Sequence, residues 1–153
     1  MRYIFTRWML AAAAASLIVL SPVSGVRQTA AQDSVQRLGQ ALLEFEEAVT
    51  WESVADDWER VRDRWIEAVK GTSSPNEMAA QLLRLESAMG WHSVEEKWRS
   101  RRDGWVAEMR SARTSAAVGR GLLELEENTL WSAVSDDWRE QRDPWIARVR
   151  SAR

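Results

Sequence analysis

A repeat at a fixed offset of forty residues, with no insertion or deletion, constrains this chain more than any other feature. Trp51, Trp58 and Trp65 recur as Trp91, Trp98 and Trp105, and then as Trp131, Trp138 and Trp145. Leu42-Leu43, Glu46, Val54 and Arg62-Asp63 return as Leu82-Leu83, Glu86, Val94 and Arg102-Asp103, and again as Leu122-Leu123, Glu126, Val134 and Arg142-Asp143. A period of that length marks stacked supersecondary units, each too small to bury its apolar face alone. The units run over about 34–72, 74–113 and 114–153.

Each unit carries two apolar stripes. At helical spacing Leu38, Leu42, Phe45 and Val49 share one arc, and Trp51, Val54, Trp58 and Trp65 share another on the opposite side. One unbroken helix would be apolar all round, so a break near Thr50, Gly90 and Leu130 is expected to fold each unit into a helical hairpin. Ser74-Pro75-Asn76-Glu77 has capping-box spacing with proline at the first helical position, Asp33-Ser34-Val35-Gln36 is a weaker version, and Thr114-Ser115 takes that place in the third unit. The helices predicted are 34–48, 52–70, 75–89, 92–111, 115–129 and 132–151. Seven Gly and three Pro leave few turn signals for a β-fold. The expected fold class is therefore all-α: three tandem helical hairpins in an α-solenoid-like or six-helix array.

Residues 1–31 contain no acid, begin with Arg2 and Arg7 around apolar residues, and hold an apolar run from Trp8 to Leu20 followed by Ser21, Pro22 and small residues. This pattern predicts a secretory signal peptide, cleaved after Ala31 or Gly25, with an uncleaved N-terminal anchor as the alternative. The run is shorter than the roughly 20 apolar residues a spanning helix needs, so no integral span is expected after cleavage. Loss of Arg2, Arg7 and Arg27 leaves 18 basic against 23 acidic residues, a balance that disfavours nucleic acid and anionic membranes as partners. The predicted location is periplasmic or secreted.

Few groups remain for chemistry. Without Cys, and with His92 as the single histidine, thiolate zinc sites, multi-histidine sites and most nucleophilic triads are unavailable. No cofactor, no metal and no catalytic residue is predicted. The candidate binding residues are the nine repeated tryptophans, Trp51, Trp58, Trp65, Trp91, Trp98, Trp105, Trp131, Trp138 and Trp145, with Arg62, Arg102 and Arg142. Indole faces stack on sugars and cations, yet nine exposed indoles would present more apolar area than a soluble monomer tolerates. Most of them are expected in a core or an oligomer contact. The arginines are expected to lie over an indole of their own helix and to pair with Glu46, Glu86 and Glu126 across the hairpin.

The acid pairs Asp56-Asp57, Glu95-Glu96 and Asp136-Asp137 are placed in the first turns of the second helices, where the helix dipole favours them. Pro144, where the other units have Arg64 and Gly104, suggests that Asp143 caps a fresh short helix. These features predict a non-enzymatic exported helical-repeat protein, acting as a protein-interaction or self-assembling (homo-oligomeric) module of the cell envelope. A Trp-rich glycan or cell-wall binding protein is the alternative.

Overall fold

The computed structural model describes residues 23–152, so most of the predicted signal segment lies outside the described residues. Those described are all-helical: α1 (Val23–Ala48), α2 (Trp58–Lys70), α3 (Pro75–Ala88), α4 (Glu96–Ser111), α5 (Ser115–Glu127) and α6 (Trp138–Ser151). Among them no helix is long and apolar enough to cross a membrane. Helix α1 begins well before the predicted residue 34. After Pro22 the chain meets only Gly25 before a run of good helix formers, and Ala30–Asp33 lie exposed on helical backbone beyond the packed part.

The odd-numbered helices α1, α3 and α5 contact one another pairwise and form the centre. Their apolar stripes meet there: Leu38, Leu42 and Phe45, then Met78, Leu82 and Leu85, then Val118, Leu122 and Leu125 are all buried, at positions forty residues apart. Each even-numbered helix lies in the groove between its own inner helix and the next: α2 against α1 and α3, α4 against α3 and α5, and α6 against α5 and α1. The last helix thus packs on the first, and the row of hairpins closes on itself rather than ending in two free faces.

Identical joints make the closure. Trp65 Nε1 donates to the backbone oxygen of Gln81 at 3.1 Å, Trp105 Nε1 to that of Gly121 at 3.1 Å, and Trp145 Nε1 to that of Ala41 at 2.8 Å. A buried indole N–H needs such a partner, and a backbone carbonyl on the neighbouring inner helix supplies it. Trp145 and Trp138 also hold the Phe45 ring, each at 5.8 Å between centroids, which ties the third hairpin to the first. Where α4 carries Met109, the facing position is Gly121; a Cβ there would collide with the Met109 side chain.

The links within the hairpins depart from the sequence expectation. The second helices do not start at 52, 92 and 132; each link is a short 3₁₀ turn, Trp51–Ser53, Trp91–Ser93 or Trp131–Ala133, followed by extended backbone at Val54, Val94 and Val134. The reason is pairing between neighbours. Thr50, Gly90 and Leu130 donate their N–H to Ala133, Ser53 and Ser93, while Ala55, Glu95 and Ser135 donate to Ala88, Asn128 and Ala48, at 2.7–2.9 Å. Three isolated antiparallel bridges result, Val49 with Val134, Val54 with Met89 and Val94 with Thr129. They form a collar at one end of the bundle, and backbone groups spent there cannot join a helix.

Three further expectations are corrected. The acid pairs precede the late-starting helices or straddle their starts, with Asp57, Glu95 and Asp137 at the caps and making no side-chain cap bond. Pro144 does not open a new helix but sits inside a continuous α6, exposed, with buried Trp138 and Trp145 on either side holding the helix through it. At the start of α3 the expected capping box does not form: Ser74 makes no side-chain cap bond, and Glu77 accepts instead from the backbone N–H of Ser73, one residue before the cap, at 3.1 Å, a bond that holds its carboxyl below the ordinary value. Thr114 does cap α5, accepting from the Ala117 N–H.

Candidate binding recesses

A glutamate in the middle of an inner helix creates the site. Glu46 is buried, and a carboxylate taken out of water must be matched by donors. The adjoining outer helix provides three. Trp58 Nε1 donates to Oε1 at 2.9 Å, Arg62 Nε to Oε1 at 2.7 Å and Arg62 Nη2 to Oε2 at 2.8 Å. Glu86 has the same set from Trp98 and Arg102, and Glu126 from Trp138 and Arg142. This two-point fork is geometry that arginine offers and lysine does not. The bond to the carboxylate, more than the surrounding charge, holds the three guanidiniums above their ordinary pKa against the opposing effect of burial.

Pairing with the repeated glutamates is as the spacing suggested; the indole involved is not. Arg62, Arg102 and Arg142 lie over Trp51, Trp91 and Trp131, at 5.7, 5.7 and 5.8 Å from guanidinium carbon to ring centroid, rather than over an indole of their own helix. The 3₁₀ turn causes this, because it lifts the first tryptophan of each unit off the helix and lays it beside the ion pair. The expected row of three indoles on one helix face is thereby divided. Trp58, Trp98 and Trp138 bond the buried glutamates, Trp65, Trp105 and Trp145 bond the neighbouring hairpin, and all six are in the core. Trp51, Trp91 and Trp131 remain 57%, 50% and 50% exposed.

Two participants escaped the sequence reading. Arg99 and Arg139 bring second guanidiniums over Trp91 and Trp131, at 5.7 and 5.4 Å, whereas the matching residue of the first unit is Glu59. Their forty-residue offset was a usable signal, hidden by that one exchange. His92, expected at the surface near a helix start, is exposed on the 3₁₀ turn, and its Nε2 donates to the Glu52 carbonyl at 2.8 Å.

In the first unit Glu46, Glu47, Val49, Trp51, Val54, Trp58 and Arg62 line a recess of about 190 Å³. In the third, the residues forty and forty again further on, Glu126, Glu127, Thr129, Trp131, Val134, Trp138 and Arg142, line one of the same volume. Each repeated glutamate already accepts three bonds, which leaves little of it for acid or base work on a substrate. What the recess offers is a flat apolar surface beside a guanidinium with one edge uncommitted, an arrangement suited to holding a molecule.

A family model described as "Domain of unknown function (DUF8799)" matches residues 32–90, from α1 to the link after α3, and the chain is similar to that family over this stretch. No curated protein and no solved structure matches the chain.

Proposed function

We propose that this chain is a non-enzymatic helical-repeat module of the cell envelope, exported by its N-terminal segment, whose three hairpins form a closed ring and hold a partner at the half-exposed indoles of Trp51, Trp91 and Trp131. The observation that carries the reading is the division of labour among the tryptophans: two per unit serve the core, and the third is left half in water at the same place in every unit. Export rests on the composition of residues 1–31. The partner classes are a protein, a second copy of the chain and, as the alternative, a glycan. Contact of α6 with α1 occupies the faces that head-to-tail stacking of copies would use, and leaves the exposed indoles as the surface open to a partner.

The test is fractionation of cells producing the full chain beside a Trp51→Ala, Trp91→Ala, Trp131→Ala triple variant. The parent is expected outside the cytoplasm and retained on envelope material, and the triple variant exported but released. A parent confined to the cytoplasm, or a triple variant retained as well as the parent, overturns the proposal.

A further inference from the structure

Resting on that reading, we propose that each of the three Trp–Arg–Glu sites seats one pyranose ring of a neutral polysaccharide, so that the molecule grips a repeating uncharged glycan at three points. The three Trp–Arg–Glu sites share one set of groups and differ in the charge around it, and in the first and third units the site opens into a recess. All have a half-exposed indole, a buried glutamate and an arginine tied to it through Nε and Nη2, with Nη1 left as a donor. An indole face takes the C–H side of a sugar ring, and the free guanidinium edge takes a hydroxyl.

Charge around this shared part varies. Glu47 on the wall of the first recess leaves it net negative, Arg99 over Trp91 leaves the second site net positive, and Glu127 with Arg139 over Trp131 leave the third balanced. An acidic ligand would meet repulsion at the first and a basic one at the second, so one ligand class serving all three carries no charge. Glu47 and Glu127, on the walls of the first and third recesses, can each accept a bond from a hydroxyl. The variation that penalises ions is tolerated by a sugar. In the first and third units the recess volume of about 190 Å³ suits a single ring rather than a folded surface element.

Three such sites on one rigid ring convert weak single contacts into firm attachment to a polymer, because the second and third contacts form at high effective concentration. The competing account makes each indole a lid that shields the Glu–Arg pair. Its consequence is stability, whereas that of the sugar reading is affinity.

The experiment titrates the purified full chain with neutral hexasaccharides of β-1,4-linked glucose and of β-1,4-linked N-acetylglucosamine, and with an acidic one of β-1,4-linked galacturonate, reading tryptophan emission and heat. At least one neutral sugar is expected to shift the emission, with an affinity insensitive to salt, and galacturonate is expected to bind more weakly. The triple Trp→Ala variant abolishes the shift while its melting temperature stays close to that of the parent. Trp91→Ala alone lowers retention on the matching insoluble polymer about tenfold or more, a larger factor than its effect on the free sugar. Trp91→Phe, which keeps a flat ring, recovers part of that loss.

Preference for galacturonate with steep salt dependence, or no binding of either neutral sugar at about 10 mM, overturns the proposal. So does a triple variant that melts as early as a core tryptophan variant. If the triple variant loses envelope retention while no neutral sugar binds, the sugar falls and the binding module stands.

Discussion

The joint between the third hairpin and the first is chemically the same as the other two but spans far more chain, and this separates equilibrium from kinetics in a measurable way. Trp65 and Trp105 each reach an acceptor 16 residues away, whereas Trp145 reaches one 104 residues away. Replacing each in turn by Phe removes one indole N–H bond worth about 1 kcal/mol, the carbonyl keeping its helical partner, and leaves a void that adds about 1–2 kcal/mol. If the ring unfolds as one body, the three variants should lose similar stability, roughly 2–3 kcal/mol each. Closing the longer loop costs more entropy, at most about 1.7 kcal/mol from the logarithm of the ratio of spans. That contact should therefore form last. Trp145→Phe is then expected to accelerate unfolding with almost no effect on folding, while Trp65→Phe and Trp105→Phe also slow folding. Urea titrations with stopped-flow emission give both quantities. A loss for Trp145→Phe below about 1 kcal/mol beside full losses for the other two would refute the closure argument, as would two resolved transitions in the parent.

In the middle unit, Trp98→Ala should cost about 3–5 kcal/mol as a buried indole and Trp91→Ala less than about 1 kcal/mol, both read from urea midpoints. Arg102→Leu, which leaves Glu86 buried with only the Trp98 N–H, should cost roughly 2–3 kcal/mol, and Arg102→Lys nearly as much because one ammonium cannot make the two-point fork; unchanged melting of both would contradict a structural pair. Gly104→Ala meets open space on an exposed helix position and should stabilise by roughly 0.5–1 kcal/mol, while Pro144→Ala, which restores a helical N–H, should gain about 1–3 kcal/mol by the same thermal melts. Because the folded-state pKa of Glu77 is depressed, its contribution is present above the unfolded value near 4.5 and fades as pH falls through the folded one. Glu77→Gln should thus lower stability at neutral pH, with the difference from the parent vanishing in acid.

Much of the architecture was legible because its causes are local. The inner-helix stripe through Leu38, Leu42 and Phe45 predicted buried helices, and the return of Glu46 and Arg62 in every unit predicted the ion pair. The boundary at Trp51 was not legible for a physical reason. Trp51, Val54 and Trp58 stand three and four residues apart, which imitates a helix face, but Val54 is extended because its backbone belongs to a bridge with Met89 of the next hairpin. Nothing within a unit encodes that bond. Closure was hidden likewise, since whether hairpins close after three depends on how each turns against the next. Pro144 is a plain case of packing overriding local preference: Trp138 and Trp145 are worth more to α6 than the bond that proline removes. At the recess, the aromatic and cationic members were readable, but their assortment into six core indoles and three open ones was not.

The acceptor of every joint is a main-chain oxygen, and the residues that own it are Ala41, Gln81 and Gly121. The indole bond is thus blind to the identity of its acceptor, while the packing beside it is not, since Gly121 makes room for Met109 where Ala41 and Gln81 carry a Cβ. A chain with its hairpins in the order second, third, first would find the same oxygens waiting in the same grooves. Because that order keeps every neighbouring pair of hairpins, Met109 against Gly121 included, such a ring can be cut and respliced between hairpins without any seam needing a new partner.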